Sequence, residues 1–88
     1  MYIVLVSKTF QKQFHALPTD FQKRIRAALA ELGNDPFKPR PGADIRPLQD
    51  TRPPKHRLRV GEYRIIYHVE GKTVEVIELF RRGRGYRD

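Results

Sequence analysis

Four cations, Lys55, Arg57, Arg59 and Arg64, fall in one short stretch of this chain, and Arg81, Arg82, Arg84 and Tyr86 crowd its end. A planar guanidinium grips two oxygens of a phosphate at once and stacks on a base, where an ammonium acts as a point charge. Fixed cations also stabilise the charge that builds on a phosphate during displacement more than they stabilise its resting state. An aromatic ring beside such cations, Phe80 or Tyr86 here, is what a single-stranded nucleic-acid site uses for base stacking. These residue types suit the gripping of a nucleic-acid backbone and its bases.

Positioning them falls first to the run from Lys55 to Tyr67, which alternates on both sides of a glycine and so predicts two strands joined by a tight turn at Gly61-Glu62. Alternation sends Lys55, Arg57 and Arg59 to one face and His56, Leu58 and Val60 to the other. Past the turn, Arg64, Ile66 and His68 oppose Tyr63, Ile65, Tyr67 and Val69. With the more apolar sets turned to a core, the opposite surface gathers Lys55, Arg57, Arg59 and Arg64, and that surface is the candidate active site.

The rest of the chain supplies the support. Tyr2 to Val6 is continuously apolar and predicts a central strand buried on both faces. Ser7 is placed to cap a helix carrying Phe10, Phe14 and Leu17, which Pro18 ends. Thr19 or Asp20 caps a second helix with Phe21, Ile25, Ala28, Leu29 and Leu32 on one face and Lys23, Arg24 and Arg26 on the other, stopped at Gly33-Asn34-Asp35-Pro36. Pro36, Pro39, Pro41, Pro47, Pro53 and Pro54 forbid a central strand and predict an extended connection, with room for a brief edge pairing near Asp44 to Leu48. Glu70-Gly71-Lys72 is a second turn. In the last strand, Thr73 to Phe80, simple alternation sets Glu75, Ile77 and Leu79 against Val74, Val76, Glu78, Phe80 and Arg82. The glycines of the closing Arg-Arg-Gly-Arg-Gly-Tyr-Arg-Asp argue against a terminal helix. The expected architecture is α+β, with residues 1–88 as one domain. In it an N-terminal strand, a two-helix hairpin and a three-stranded antiparallel meander complete a four-stranded sheet with the helices on one face.

Composition narrows the function. A net charge of +8 and a pI near 10.3 point to a polyanionic partner, nucleic acid first, against the plain alternative of solvating charge. Clustering favours the partner, because more than half of the 18 cations follow residue 45 and most are arginine. The absence of cysteine removes disulfides and thiolate metal sites, and no pair of histidines has metal-ligand spacing, so neither metal nor other cofactor is expected. No apolar run is long enough to span a bilayer, and a cytoplasmic protein is expected.

The chain resembles the RelE/ParE superfamily of type II toxins. The likeness rests on the opening strand, the Leu-Pro break between helices, the hairpin Leu-Arg-Val-Gly-Glu-Tyr-Arg-Ile-Ile-Tyr and the closing Arg-Arg-Gly-Arg-Gly-Tyr. His56 stands where relatives usually carry an aromatic, and Glu62 where they carry Asp. The resemblance implies a toxin held by a cognate antitoxin, with two activities known on the one fold. RelE-type members cut mRNA on the ribosome without metal, and ParE-type members inhibit DNA gyrase; a member reduced to antitoxin binding is a third reading. Matched position by position, the catalytic set implied is Lys55, Arg57, Arg64, Arg82 and Tyr86, with Arg59, Arg81, Arg84 and Phe80 contacting RNA.

Cleavage of that kind requires a 2′-hydroxyl to lose its proton, in-line attack on phosphorus, charge stabilisation, and a proton for the leaving 5′-oxygen. Arg64 and Arg82 suit the charge; Lys55 serves as base only if neighbouring cations lower its pKa, and Tyr86 stacks or moves a proton. Glu78 reads as an ion-pair partner that orients Arg64 and Arg82. His68 shares the Arg64 face, yet a strand histidine is more often structural. His15, His56, Tyr63 and Tyr67 read as structural, and Arg24 and Arg26 as helix charges or contacts to ribosomal RNA.

Overall fold

Five strands form one mixed sheet in the order β1-β5-β4-β3-β2 in the computed structural model, which describes residues 1–82. In chain order the elements are β1 (Ile3–Val6), α1 (Lys8–His15), α2 (Thr19–Asn34), β2 (Asp44–Pro47), β3 (His56–Val60), β4 (Tyr63–Glu70) and β5 (Thr73–Arg81). The α+β plan and the antiparallel β3-β4-β5 meander are as the sequence predicts. The sheet has five strands rather than four, because Asp44–Pro47 pairs antiparallel with β3 along its whole length. Proline is tolerated there since β2 is an edge strand and Pro47 closes it.

β1 departs from its reading as a central strand. It pairs parallel with β5 at the other edge of the sheet, and Ile3 and Leu5 are 61% and 55% exposed. A parallel edge strand places alternate residues on the core, so only Val4 and its neighbour Tyr2 pack inward while Ile3 and Leu5 face away.

One face of the sheet carries the core. Leu58, Tyr63, Ile65, Tyr67, Val74, Val76 and Leu79 from β3, β4 and β5 meet Phe10 and Phe14 of α1 and Ile25, Ala28 and Leu32 of α2. Ser7 caps α1 by accepting the Phe10 amide at 2.9 Å. Pro18, with no side-chain cap bond, is the N-cap of α2, so Thr19 and Asp20 fall inside its first turn. Its C-terminal end is held by Arg40, which donates to the Glu31 carbonyl at 2.8 Å and the Asp35 carbonyl at 3.0 Å while pairing with the Glu31 carboxylate. Asp35 in turn accepts the amides of Phe37 and Lys38, which hold its carboxyl below the usual carboxylate range. Tyr67 reaches from the core to the same loop, donating its hydroxyl to the buried Pro36 carbonyl at 2.6 Å. The proline-rich connection is thus tied down at both of its charged and aromatic anchors.

The last strand does not alternate simply. Ile66 pairs with Glu78 but Tyr67 pairs with Val76, leaving Ile77 as an extra residue in a β-bulge. Val74 and Val76 therefore share the core with Leu79, and Glu78 and Phe80 turn to the opposite face. Helix α1 clasps this irregularity. The Ser7 hydroxyl donates to the Ile77 carbonyl, and the Gln13 side-chain oxygen accepts the Leu79 amide at 2.6 Å.

Candidate nucleic-acid interface

Register defines what stands on the face away from the helices, because residues directly opposite in a ladder share a side. Asp44 faces Arg59, Arg59 faces Arg64, and Arg64 faces Phe80 along one row. Arg46 faces Arg57, Arg57 faces Ile66, and Ile66 faces Glu78 along the next. Lys55, whose carbonyl accepts the Leu48 amide at 2.9 Å, continues this side of β3 one step beyond the strand. Arg82 follows Phe80 by alternation, with its amide bonded to the Glu62 carbonyl at 2.6 Å.

Six of the residues singled out from the sequence, Lys55, Arg57, Arg59, Arg64, Phe80 and Arg82, are thereby brought to one surface. Arg81 is not among them. It lies opposite Tyr63 on the helix side of the sheet, borders a cavity there with Gln13 and Leu17, and pairs with Glu62 at 3.1 Å. Arg84 and Tyr86 lie outside the described residues, as does the expectation about the shape of the closing segment.

The surface is graded. Arg57, Arg64 and Ile66 at its centre are buried, whereas Arg46, Arg59 and Arg82 are exposed and Lys55 is half-buried. Ile66 sits in register between Arg57 and Glu78, so the stems of long charged side chains flank an apolar floor. Asp44 Oδ1 lies 3.2 Å from Arg57 Nη2 and its Oδ2 lies 3.9 Å from Arg59 Nε. Glu78 forms no ion pair among the described residues, so the expectation that it orients Arg64 and Arg82 does not hold, and on this face it is Asp44 whose carboxylate pairs with an arginine. Sequence reading missed Asp44 and Arg46. It named neither as a site residue, although the edge pairing it allowed near Asp44 to Leu48 is the one that brings both beside β3.

The remaining candidates take structural places. His68 pairs with Glu75 at 3.4 Å, four residues along β4 from Arg64 and so about 13 Å away at ordinary strand rise. His56 stacks on Tyr67 with ring centroids 5.4 Å apart and meets Phe37 edge-on, and burial pushes its imidazole below the ordinary value. Tyr63 packs edge-on against Phe21, and burial pushes the Tyr67 hydroxyl far above the usual phenol range. Arg24 and Arg26, on α2, lie over the rings of Phe21 and Phe14, and Arg24 also lines a cavity with Asp44 and Arg59 at the edge of the cationic face. Among the described residues there is no group of three or more His, Asp and Glu side chains arranged to hold a metal ion, and no helix long and apolar enough to cross a membrane.

Residues 4–86 match the family model described as the ParE toxin of the type II toxin-antitoxin system parDE. The chain is 30% identical over 88 residues to the toxin RelE of Mycobacterium tuberculosis, covering 98% of this chain and 87% of the relative. It is 34% identical over 79 residues to the toxin RelE3 of Methanocaldococcus jannaschii, covering 90% and 84%. Its fold matches a chain of the archaeal RelE-RelB complex of Pyrococcus horikoshii with a TM-score of 0.81 and 31% identity, covering 96% of this chain and 98% of that one.

Proposed function

Because the chain belongs to the RelE/ParE family of type II toxins, we propose that it is a ribosome-dependent endoribonuclease that cuts mRNA without a metal ion. The observation that carries this reading is the cationic face, where Arg57 and Arg64 are buried beside Ile66 while Lys55, Arg59 and Arg82 surround them. Buried guanidinia are held in place before RNA arrives, so they stabilise the charge of the transition state with little reorganisation. Exposed cations around them suit the looser task of gripping backbone phosphates.

In the reaction the 2′-oxygen gives up its proton and attacks the adjacent phosphorus. The bond to the 5′-oxygen breaks, that oxygen takes a proton, and a 2′,3′-cyclic phosphate remains. Arg64 and Arg82 stabilise the charge on the non-bridging oxygens, and Arg57 and Lys55 hold the phosphate in line. Phe80, opposite Arg64, offers a ring for stacking at the edge of the site, and Tyr86 is assigned to stacking or proton transfer at the cut. Much of the rate then comes from orientation and electrostatics, which is consistent with a need for the ribosome to hold the RNA. A cytoplasmic place of action follows from that substrate. A cognate antitoxin, of the kind seen with the Pyrococcus relative, would silence the protein by laying acidic side chains over the same cations.

Primer extension on translated mRNA tests the proposal: new 5′ ends are expected with the wild type and none with Arg82→Ala. A second reading, inhibition of DNA gyrase, draws support from the ParE description of the matching family model. It requires stalled supercoiling by the purified protein with mRNA left intact.

A further inference from the structure

We infer that Asp44 is a positioning residue of this site, holding Arg57 in its working orientation while leaving Arg59 available to RNA; the inference rests on the endonuclease reading above. One carboxylate here faces two arginines of unequal access. The Arg57 side chain is 3% exposed and lies 3.2 Å from Asp44 Oδ1; the Arg59 side chain is 47% exposed and lies 3.9 Å from Oδ2, beyond a hydrogen bond. The first contact is a charge-assisted bond to a buried group, which fixes direction strongly; the second is a loose attraction that an incoming phosphate can replace.

A carboxylate on a surface that receives RNA repels the ligand, so it weakens binding wherever it stands. Its placement makes sense if it serves the step after binding. Asp44 reaches Arg57 diagonally across the β2-β3 pair from the row of Arg59, which draws the guanidinium along the sheet toward β2. That bond helps set which way the buried guanidinium points, and a cation turned from that direction no longer meets the developing charge. Asp44 itself is 55% exposed and shares with Arg59 the rim of a cavity of about 480 Å³ bounded by α2, so its own removal leaves no void in the core.

Opposite movements of binding and turnover distinguish this role from a structural one. With Asp44→Ala, steady-state cleavage on programmed ribosomes is expected to show kcat lowered about tenfold with KM unchanged or lower, since a repelling charge is gone. Asp44→Glu, which keeps the anion, is expected to restore kcat to within about threefold of wild type. Asp44→Asn replaces the alanine variant if that one fails to fold, with the same expected split. A raised KM at unchanged kcat, equal losses in the Ala and Glu variants, or wild-type turnover in all would overturn the inference. The NMR signals of the Arg57 guanidinium give a readout independent of cleavage. Slow rotation is expected in the wild type and Asp44→Glu, and measurably faster rotation in Asp44→Ala; equal rotation in the wild type and Asp44→Ala overturns the orientation. A wild type that cuts no RNA sinks the endonuclease reading, and the Arg57 signal then decides the orientation by itself.

Discussion

The hydroxyl of Ser7 donates to the carbonyl of Ile77 while accepting the amide of Phe10, so the residue that starts α1 also grips the bulge in β5. The bulge is what turns Glu78 and Phe80 toward the cationic face. Ser7→Ala removes both bonds and is expected to lower stability by about 1 to 3 kcal/mol in urea unfolding. Cleavage should fall with it at temperatures where the fold persists, because the register beyond Ile77 loses its clasp.

Tyr67 and Pro36 form the corresponding link on the other side of the core. Tyr67→Phe keeps the ring but leaves the buried Pro36 carbonyl without its donor, and should cost about 1 to 3 kcal/mol. Equilibrium unfolding measures it, and the stacked His56 ring should report the change through its imidazole chemical shifts.

His56 makes stability depend on pH. Burial holds its folded-state value below the ordinary 6.5, so the unfolded chain binds a proton first as pH falls. Stability from this group is complete above pH 6.5 and declines below it until the folded protein also protonates, at no more than about 1.4 kcal/mol per pH unit. His56→Phe should flatten that part of the profile, measured by urea unfolding between neutral and mildly acidic pH.

Binding to a short single-stranded RNA should weaken steeply with salt. Arg59→Ala, at an exposed position on the cationic face, is expected to reduce the slope of log affinity against log salt by about 0.7. Arg81→Ala, on the helix side and paired with Glu62, should leave the slope unchanged. Filter binding across a salt series separates the two.

Local pattern carried the meander and its cationic side into view, because two-residue periodicity survives in Lys55 to Val69 and the glycine at position 61 takes the positive φ of 59° that its turn requires. What failed were relations between elements. The apolar run of β1 looks the same whether a strand has two neighbours or one, and its parallel pairing at the edge cannot be read from composition. Nothing in Val76-Ile77-Glu78 marks the extra residue, since the bulge depends on bonds from Ser7 and Gln13 far back in the chain. Asp44 meets Arg57 across a register set only when β2 pairs with β3, and Arg40 finds the end of α2 by a fold of the connecting loop. Long-range hydrogen bonds and ion pairs therefore carried the information that spacing lacked.

Single-turnover cleavage by purified protein on ribosomes programmed with a defined mRNA, comparing wild type with Arg64→Ala, tests the cationic face most directly. The expected result is a cut at the exposed codon that ends in a 2′,3′-cyclic phosphate, slowed at least about a hundredfold by the substitution at a temperature where both proteins are folded. Intact mRNA with the wild type, or equal rates for the two proteins, would contradict an RNA-cleaving role for this surface.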